Sequence, residues 1–443
     1  MNGRKKQGKM EKKTDIKEEL KKYGKVADRM YWIFLVVILV YELLGSTPFL
    51  LYFTTWLSAA FKNSSPELAG LIYQSVVNLR FLIIVPAVYN IVVEAKNNRE
   101  RIILTAMLLL GWFYAFYMRE QNDTYIFRDM AMIVASYGKD YRKIAKISMW
   151  LAGGIMAFTV LMNLMHVIPE FNLERDGQVR HSFGTLGPTN LAGHVCFVIV
   201  TYIFVKDGDL KWPAYACIVI LSALNLIFVD GRTAFLSVFL ICAGCLVFTL
   251  FRKKGWSVSE KFMKIWRYLL MASYVLVPGI FMIWVFTYRD DPDIFYNRYH
   301  VLQSLAGRIL NPNRILGVTG ITPFGKYYDN YWLEGNVFKN TGEYEFLDSS
   351  YARVLIMYGL VAFVLILILF TWIQYRLLKK KQTFRMYILA VLSLHFMMEH
   401  HLLEPAYDIF LLLPFASLDT LISGSEYRGK VSKKKVTGKN KAK

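Results

Sequence analysis

The sequence predicts an all-α polytopic membrane protein with about twelve transmembrane helices and one long extracytoplasmic loop. Three observations predict it. Hydrophobic residues make up 55% of the 443 residues and aromatics 16%, while charged residues make up only 19%, against about a quarter in soluble domains. Mean hydropathy is positive, at +0.33. Apolar runs of membrane-spanning length recur along the whole chain. This excludes a secreted domain, a cytosolic enzyme and a disordered chain. It also removes nucleic acid as the partner that a net charge of +20 would suggest in a soluble protein. The expected partner of the apolar surface is a lipid bilayer.

Taken in order, residues 1–30 form a basic tail with eleven Lys and Arg. The tail has no apolar core followed by a cleavage site, so the first span is expected to act as an uncleaved anchor. Residues 31–287 carry nine predicted spans: 31–53, 70–94, 101–118, 124–138, 145–167, 188–205, 212–229, 233–251 and 268–287. Residues 288–349 form the long loop. Residues 350–422 carry three more spans, at 350–375, 386–400 and 403–422, and 423–443 is a second basic tail. The spans 124–138, which contains Arg128, and 386–400 are shorter than the roughly 20 residues that a straight span needs.

Charge orients this layout. With the N-terminus in the cytoplasm, cytoplasmic segments hold 39 of the 53 Lys and Arg. External segments hold ten, Arg119 stands at a border, and Arg80, Arg128 and Arg353 fall inside spans. That bias has the sign that orients multi-pass proteins. It places the chain in the cell membrane with both termini cytoplasmic, and the two tails near anionic headgroups. Cys196, Cys217, Cys242 and Cys245 all fall within predicted spans and read as packing residues. No internal repeat of the transporter kind is visible.

The external face carries the chemistry. The 288–349 loop contains twelve aromatics, among them Tyr296, Tyr299, Tyr327, Tyr328, Tyr331 and Trp332. Such rings suit either sugar stacking or an interfacial aromatic belt. External cations are mostly arginine: Arg175, Arg180, Arg232, Arg289, Arg298, Arg308 and Arg314. Guanidinium binds phosphate in a planar, bidentate way and stays ionised when partly desolvated. The set therefore points to an anion such as a lipid diphosphate, with pairing to Asp290, Asp291 and Asp293 as the alternative.

Several span boundaries are dense in polar residues. Arg180 to Asn190 leads straight into a span, where Thr189 or Asn190 is expected to cap the helix. Asp230-Gly231-Arg232-Thr233 makes a tight external turn, where a charge such as Arg232 is costly unless it is functional or paired with Asp230. Asp348, at the end of the long loop, and Arg353 are placed to reach one cavity. Glu399-His400-His401-Leu402-Leu403-Glu404 invites a zinc reading. Adjacent histidines point apart on a helix, however, and no third ligand is suitably spaced. His401 and Glu404 are read instead as polar lining, and no metal or cofactor is expected.

In order and spacing these segments resemble the O-antigen polymerase and O-antigen ligase superfamily over roughly residues 180–420. Gly187-Pro188-Thr189-Asn190 is similar to the family's Pro-Asn helix start. Asp230-Gly231-Arg232-Thr233-Ala234 resembles its Ser-Arg-small turn. Gly307-Arg308, followed by Leu316-Gly317 and Phe324-Gly325, resembles its Ser-Gly-Arg stretch and later glycine pair. Asp348–Tyr351 and Tyr358-Gly359-Leu360 resemble the end of the long loop and the next helix. The resemblance implies glycan transfer from a polyprenyl-diphosphate carrier at the outer leaflet, without metal. It implies a carrier-linked oligosaccharide as substrate, with a flippase and a chain-length regulator as partners.

By the same resemblance, Arg232 and Arg308 are the first diphosphate ligands, followed by Arg180, Arg298 and Arg353, with Asn190 in the same site. Ligases of the family carry a His where Asp348 stands here. This favours a polymerase and makes Asp348 the first candidate base and His300 the second. A carboxylate beside several arginines is expected to have a lowered pKa. A ligase, a flippase of lipid-linked oligosaccharides and a small-molecule transporter are the other readings. The long loop and the gathering of polar residues at external span ends speak against the last two.

Overall fold

The computed structural model describes residues 19–61, 70–72, 74–75, 78–117, 125–175, 177–254, 258–288, 303–326 and 347–421. Among them the chain is almost wholly helical, with one two-stranded pair. Seven helices are long and apolar enough to cross a membrane. They are α4 (Asn98–Tyr117), α6 (Tyr141–Leu164), α7 (Pro188–Lys206), α8 (Trp212–Val229), α9 (Arg232–Phe251, continuing to Lys254), α10 (Glu260–Thr287) and α12 (Ser350–Lys379). Their outward faces carry large apolar side chains such as Trp150, Ile227, Phe239 and Ile283, which fits a bilayer as the surrounding solvent.

The chain divides into two compact units, Met1–Leu151 with Phe415–Thr420 and Ala152–Pro414 with Leu421–Lys443. The first contains α1 (Gly24–Gly45), α2 (Phe49–Phe61), α3 (Ile84–Tyr89), α4 and α5 (Tyr125–Ala135). Gly111 lets α4 and α5 touch, since a Cβ there would lie 2.8 Å from that of Met130. The buried Arg128 donates to Asp129 at 2.9 and 2.6 Å and pairs with Glu42, so its charge is balanced at membrane depth. Asn90 donates to the carbonyls of Val134 and Ala135, at 3.2 and 2.8 Å, closing the end of α5.

The twelve-span layout does not hold in full. Residues 79–94 form a 3-10 turn, the short α3 and a π turn instead of one straight span. Pro86 sits in α3, where it removes a backbone donor and crowds the preceding turn. Helix α5 is only 11 residues long, about 16 Å. The expected last span, 403–422, is not a continuous helix. Two 3-10 segments, His401–Leu403 and Ile409–Leu412, are separated by turns. Pro405 and Pro414 interrupt the helical ladder, and the buried Asp408 accepts from Phe410 N at 3.1 Å.

In the second unit α7 is the central element. Some 67% of its apolar stretch is buried, against 17–44% for the other six. It packs on α8, α9 and α13 (Thr383–Met398), and α10 packs on α12 and α13. The 288–349 loop holds a helix that the sequence reading placed in loop, α11 (Gln303–Thr319). Its buried Ile309, Ile315 and Leu316 give it an apolar face, and it packs on α10. Asn313 donates to the carbonyls of Val285 and Tyr288, at 2.7 and 3.4 Å, at the end of α10.

Helix α12 contains a π turn at Val354–Tyr358, and the strand-like segment after α11 satisfies its freed backbone groups. Lys326 N donates to Ile356 O, Leu360 N to Thr322 O and Val361 N to Pro323 O. Gly325 and Gly359 make this crossing possible. Both have positive φ, and a Cβ on either would overlap the other segment's backbone.

Candidate functional site

Two clusters of charge face a small cleft in the second unit. The first is built by the hairpin of β1 (Leu173–Arg175) and β2 (Gln178–Arg180) and by the α8–α9 turn. The hairpin is held to α8 by His181 N donating to Phe228 O at 2.9 Å. Asp230 ends α8 in the left-handed conformation, with φ of 52°. Gly231 follows because a Cβ there would lie 2.9 Å from that of Ala192. Three guanidinium groups converge on Asp230: Arg232 at 2.7 Å, Arg175 at 3.3 Å and Arg180 at 3.8 Å. Arg180 is buried and also donates to Val229 O at 3.2 Å, whereas Arg232 is 52% exposed. Among the described residues, the single carboxylate of Asp230 thus faces three guanidinium groups.

The second cluster has the opposite balance. Arg308, from α11, is nearly buried and donates to Met398 O at 2.6 Å. Its Nη2 lies 3.5 Å from Glu399 and 3.8 Å from Asp348. Two carboxylates face one cation. Burial pushes the Asp348 carboxyl up to about 6, against the pull of Arg308, and the nearby Glu399 adds to the rise. The lowered pKa expected from neighbouring arginines is thereby corrected: desolvation outweighs them.

Histidines complete the cleft. His395 of α13 shares a hydrogen bond of 2.9 Å between its Nδ1 and Ser237 Oγ, and Ser237 in turn donates to Thr233 O. His401 places Nδ1 3.1 Å from Glu404 Oε2, and Arg353 donates to Glu404 Oε1 at 3.2 Å. Tyr407 stacks against His194 at 3.8 Å and against His401 at 3.9 Å, both nearly parallel, so one ring lies on each of its faces.

Of the residues expected from the sequence, Arg180, Arg232, Arg308 and His401 line the cleft. Glu404 and Arg353 stand behind His401, and Asp348 behind Arg308. Asp348 and Arg353 therefore serve different partners. Arg298 and His300 lie outside the described residues, as do Tyr296, Tyr299, Tyr327, Tyr328, Tyr331 and Trp332. The expected cap by Thr189 or Asn190 is not formed. Gly187 is the N-cap and Pro188 the first residue of α7, which puts both polar residues inside the helix. Asn190 is not part of the lining. The reading did not name His395, which lines the cleft, and it named Arg175 and Glu399, which also line it, only within the external arginine set and the Glu399–Glu404 segment. A His and a Ser inside the apolar run of α13 were the available signal for His395.

His400 and His401 do not point apart, because they leave the helix. Their rings lie 4.3 Å apart, and donor atoms of Glu399, His400 and His401 fall within 4.8 Å of one another. Against a dication, Arg308 faces Glu399 and Arg353 faces Glu404, so two fixed positive charges compete for the same carboxylates.

Fold and cleft together define a helical, membrane-type protein whose polar site gathers where helices end and turn. The chain matches no protein-family model, no curated protein and no solved structure.

Proposed function

We propose that the protein is a polysaccharide polymerase. It transfers a growing glycan from a polyprenyl diphosphate to a carrier-linked repeat unit at the outer face of the cell membrane, with both termini cytoplasmic. The observation that carries this reading is the convergence of Arg175, Arg180 and Arg232 on the single carboxylate of Asp230 at one wall of the cleft. Such a cluster gathers guanidinium groups of the kind that bind a diphosphate in a planar, bidentate way. As the bond from the anomeric carbon to the carrier oxygen breaks, negative charge grows on the departing diphosphate. Prearranged guanidinium groups stabilise that charge without reorganising. Glu399 and His401, which also line the cleft, offer acceptors for the hydroxyl that attacks.

The resemblance to the O-antigen polymerase and ligase superfamily supports the same assignment, since Arg232 and Arg308 stand in its arginine motifs. The experiment is deletion of the gene in a host that makes a surface polysaccharide from its own cluster, with carrier-linked glycans then sized. Accumulation of single repeat units on the outer leaflet, reversed by wild type and not by Arg232→Ala or Arg308→Ala at equal expression, supports a polymerase. Single units trapped on the cytoplasmic side overturn it in favour of a flippase. Full-length chains left on the carrier overturn it in favour of a ligase.

A further inference from the structure

We infer that His401 is the general base of this cleft and that Glu404 positions it, an inference that rests on the transfer reading above. Glu404 pairs with Arg353 at 3.2 Å, so its carboxylate is ionised and can only accept. The proton in its 3.1 Å contact with His401 therefore sits on His401 Nδ1. That fixes the tautomer and leaves Nε2 as a bare lone pair. Among the described residues Nε2 has no hydrogen-bond partner, although His401 is fully buried and lines the cleft. An unsatisfied buried acceptor is costly, and an incoming hydroxyl is the group that would satisfy it.

The surroundings hold this ring still. A Cβ at Gly193 would lie 2.9 Å from Nε2 and 3.0 Å from the Tyr407 ring. Glycine at this turn of α7 is therefore what lets the imidazole and the Tyr407 ring sit this close to the helix. Tyr407, stacked between His194 and His401, holds the imidazole plane.

The other acceptors fit the role less well. Asp348 and Glu399 both face Arg308, and Asp348 is not part of the cleft lining. His395 also presents an unpartnered Nε2, but only the hydroxyl of Ser237 stands behind its ring. A charged partner behind Nδ1–H stabilises the imidazolium that forms when Nε2 takes a proton. Of the two histidines that line the cleft among the described residues, only His401 has one.

The step balances as follows. The acceptor O–H bond breaks and its proton goes to His401 Nε2. The oxygen forms a bond to the anomeric carbon, whose bond to the carrier diphosphate breaks. The electron pair leaves on that diphosphate, held by the arginine cluster, and the imidazolium later returns its proton to water.

The test uses the full-length protein in nanodiscs. Its substrate is the single carrier-linked units extracted from the deletion strain, and farnesyl diphosphate is the binding probe. His401→Gln should lower kcat by about 100-fold or more, with KM and farnesyl diphosphate affinity within about threefold of wild type. Glu404→Gln keeps an acceptor for Nδ1–H but not its charge. It should lower kcat by about tenfold and leave KM unmoved. If His401→Gln keeps kcat within fivefold of wild type, His401 is not the base. If probe affinity falls as far as turnover in His401→Gln, the ring is a structural strut and the inference fails. If wild-type protein does not extend the units at all, the transfer reading itself falls and takes the base with it. In that case Arg232→Ala still reports whether the cleft binds diphosphate.

Discussion

Asp348 holds its proton at a pH where an exposed aspartate has lost it. Its carboxyl is pushed up to about 6 by burial, from an ordinary value near 4. Between about pH 4 and pH 6 the folded protein binds a proton that the unfolded chain releases. Stability therefore falls as pH rises through that window. Asp348→Asn removes this dependence. The wild-type Tm minus the Asp348→Asn Tm, measured in detergent, should decrease from pH 4.5 to pH 6.5, and a flat difference would refute the assignment. Gly193 makes a second test. Gly193→Ala puts a methyl group against His401 and Tyr407 and should cost about 1–3 kcal/mol through overpacking, seen as a lower Tm together with reduced turnover. Residues of this kind were unevenly legible. Asp230 and Arg232 stand two apart in a tight turn, so their pairing could be read directly. His395 pairs with Ser237, 158 residues away, and nothing local announces it. The direction of the Asp348 shift depended on burial, which sequence spacing does not encode.

At the scale of elements, the uninterrupted apolar runs were read well. The segment 212–229 is α8 to the residue, and 188–205 is α7 less one, because proline near the helix start and left-handed aspartates at the ends punctuate them. The failures have chemical causes. Prolines divide 79–94 and 403–422, and α11 contains Pro312 inside a mixed polar stretch, so it looked like loop. The Gly325 and Gly359 motif was visible as a family likeness, but its reason is spatial. The two glycines let the chain after α11 cross the π turn of α12 and bond to its carbonyls and amides. Alanine at either position meets backbone, which cannot step aside as a flexible side chain can. Gly325→Ala and Gly359→Ala should each cost about 3 kcal/mol or more. The readout is loss of the monodisperse peak of a fluorescent fusion in size-exclusion chromatography. Gly317→Ala, where no atom lies within 4 Å of the added methyl, should leave the peak intact.

For the molecule as a whole, a transfer between carrier-linked glycans on the outer leaflet requires the cleft to face the outside of the membrane. Within the second unit, α12 begins at the cleft, where Ser350 Oγ donates to Glu399 O. It ends at Lys379, and its continuous α-helical part, the 21 residues Gly359–Lys379, is about 32 Å long. The exposed Glu174 of the hairpin and the exposed Lys381 after α12 therefore mark opposite ends of that unit. The basic turn around Lys379, Lys380 and Lys381 carries the charge expected of a cytoplasmic end, while the hairpin carries the arginine cluster. With the four native cysteines replaced by alanine, Glu174→Cys should react in intact cells with a membrane-impermeant maleimide. Lys381→Cys should react only after the membrane is opened. The reverse pattern would put the arginine cleft in the cytoplasm, where a carrier-linked acceptor on the outer leaflet cannot reach it, and the polymerase assignment would fall. Labelling of both from outside would mean that α12 does not cross the membrane. The expected pattern places the arginine cluster, with Glu399 and His401 of the same cleft, at the outer headgroups, where a polyprenyl diphosphate presents its charge and its sugar together.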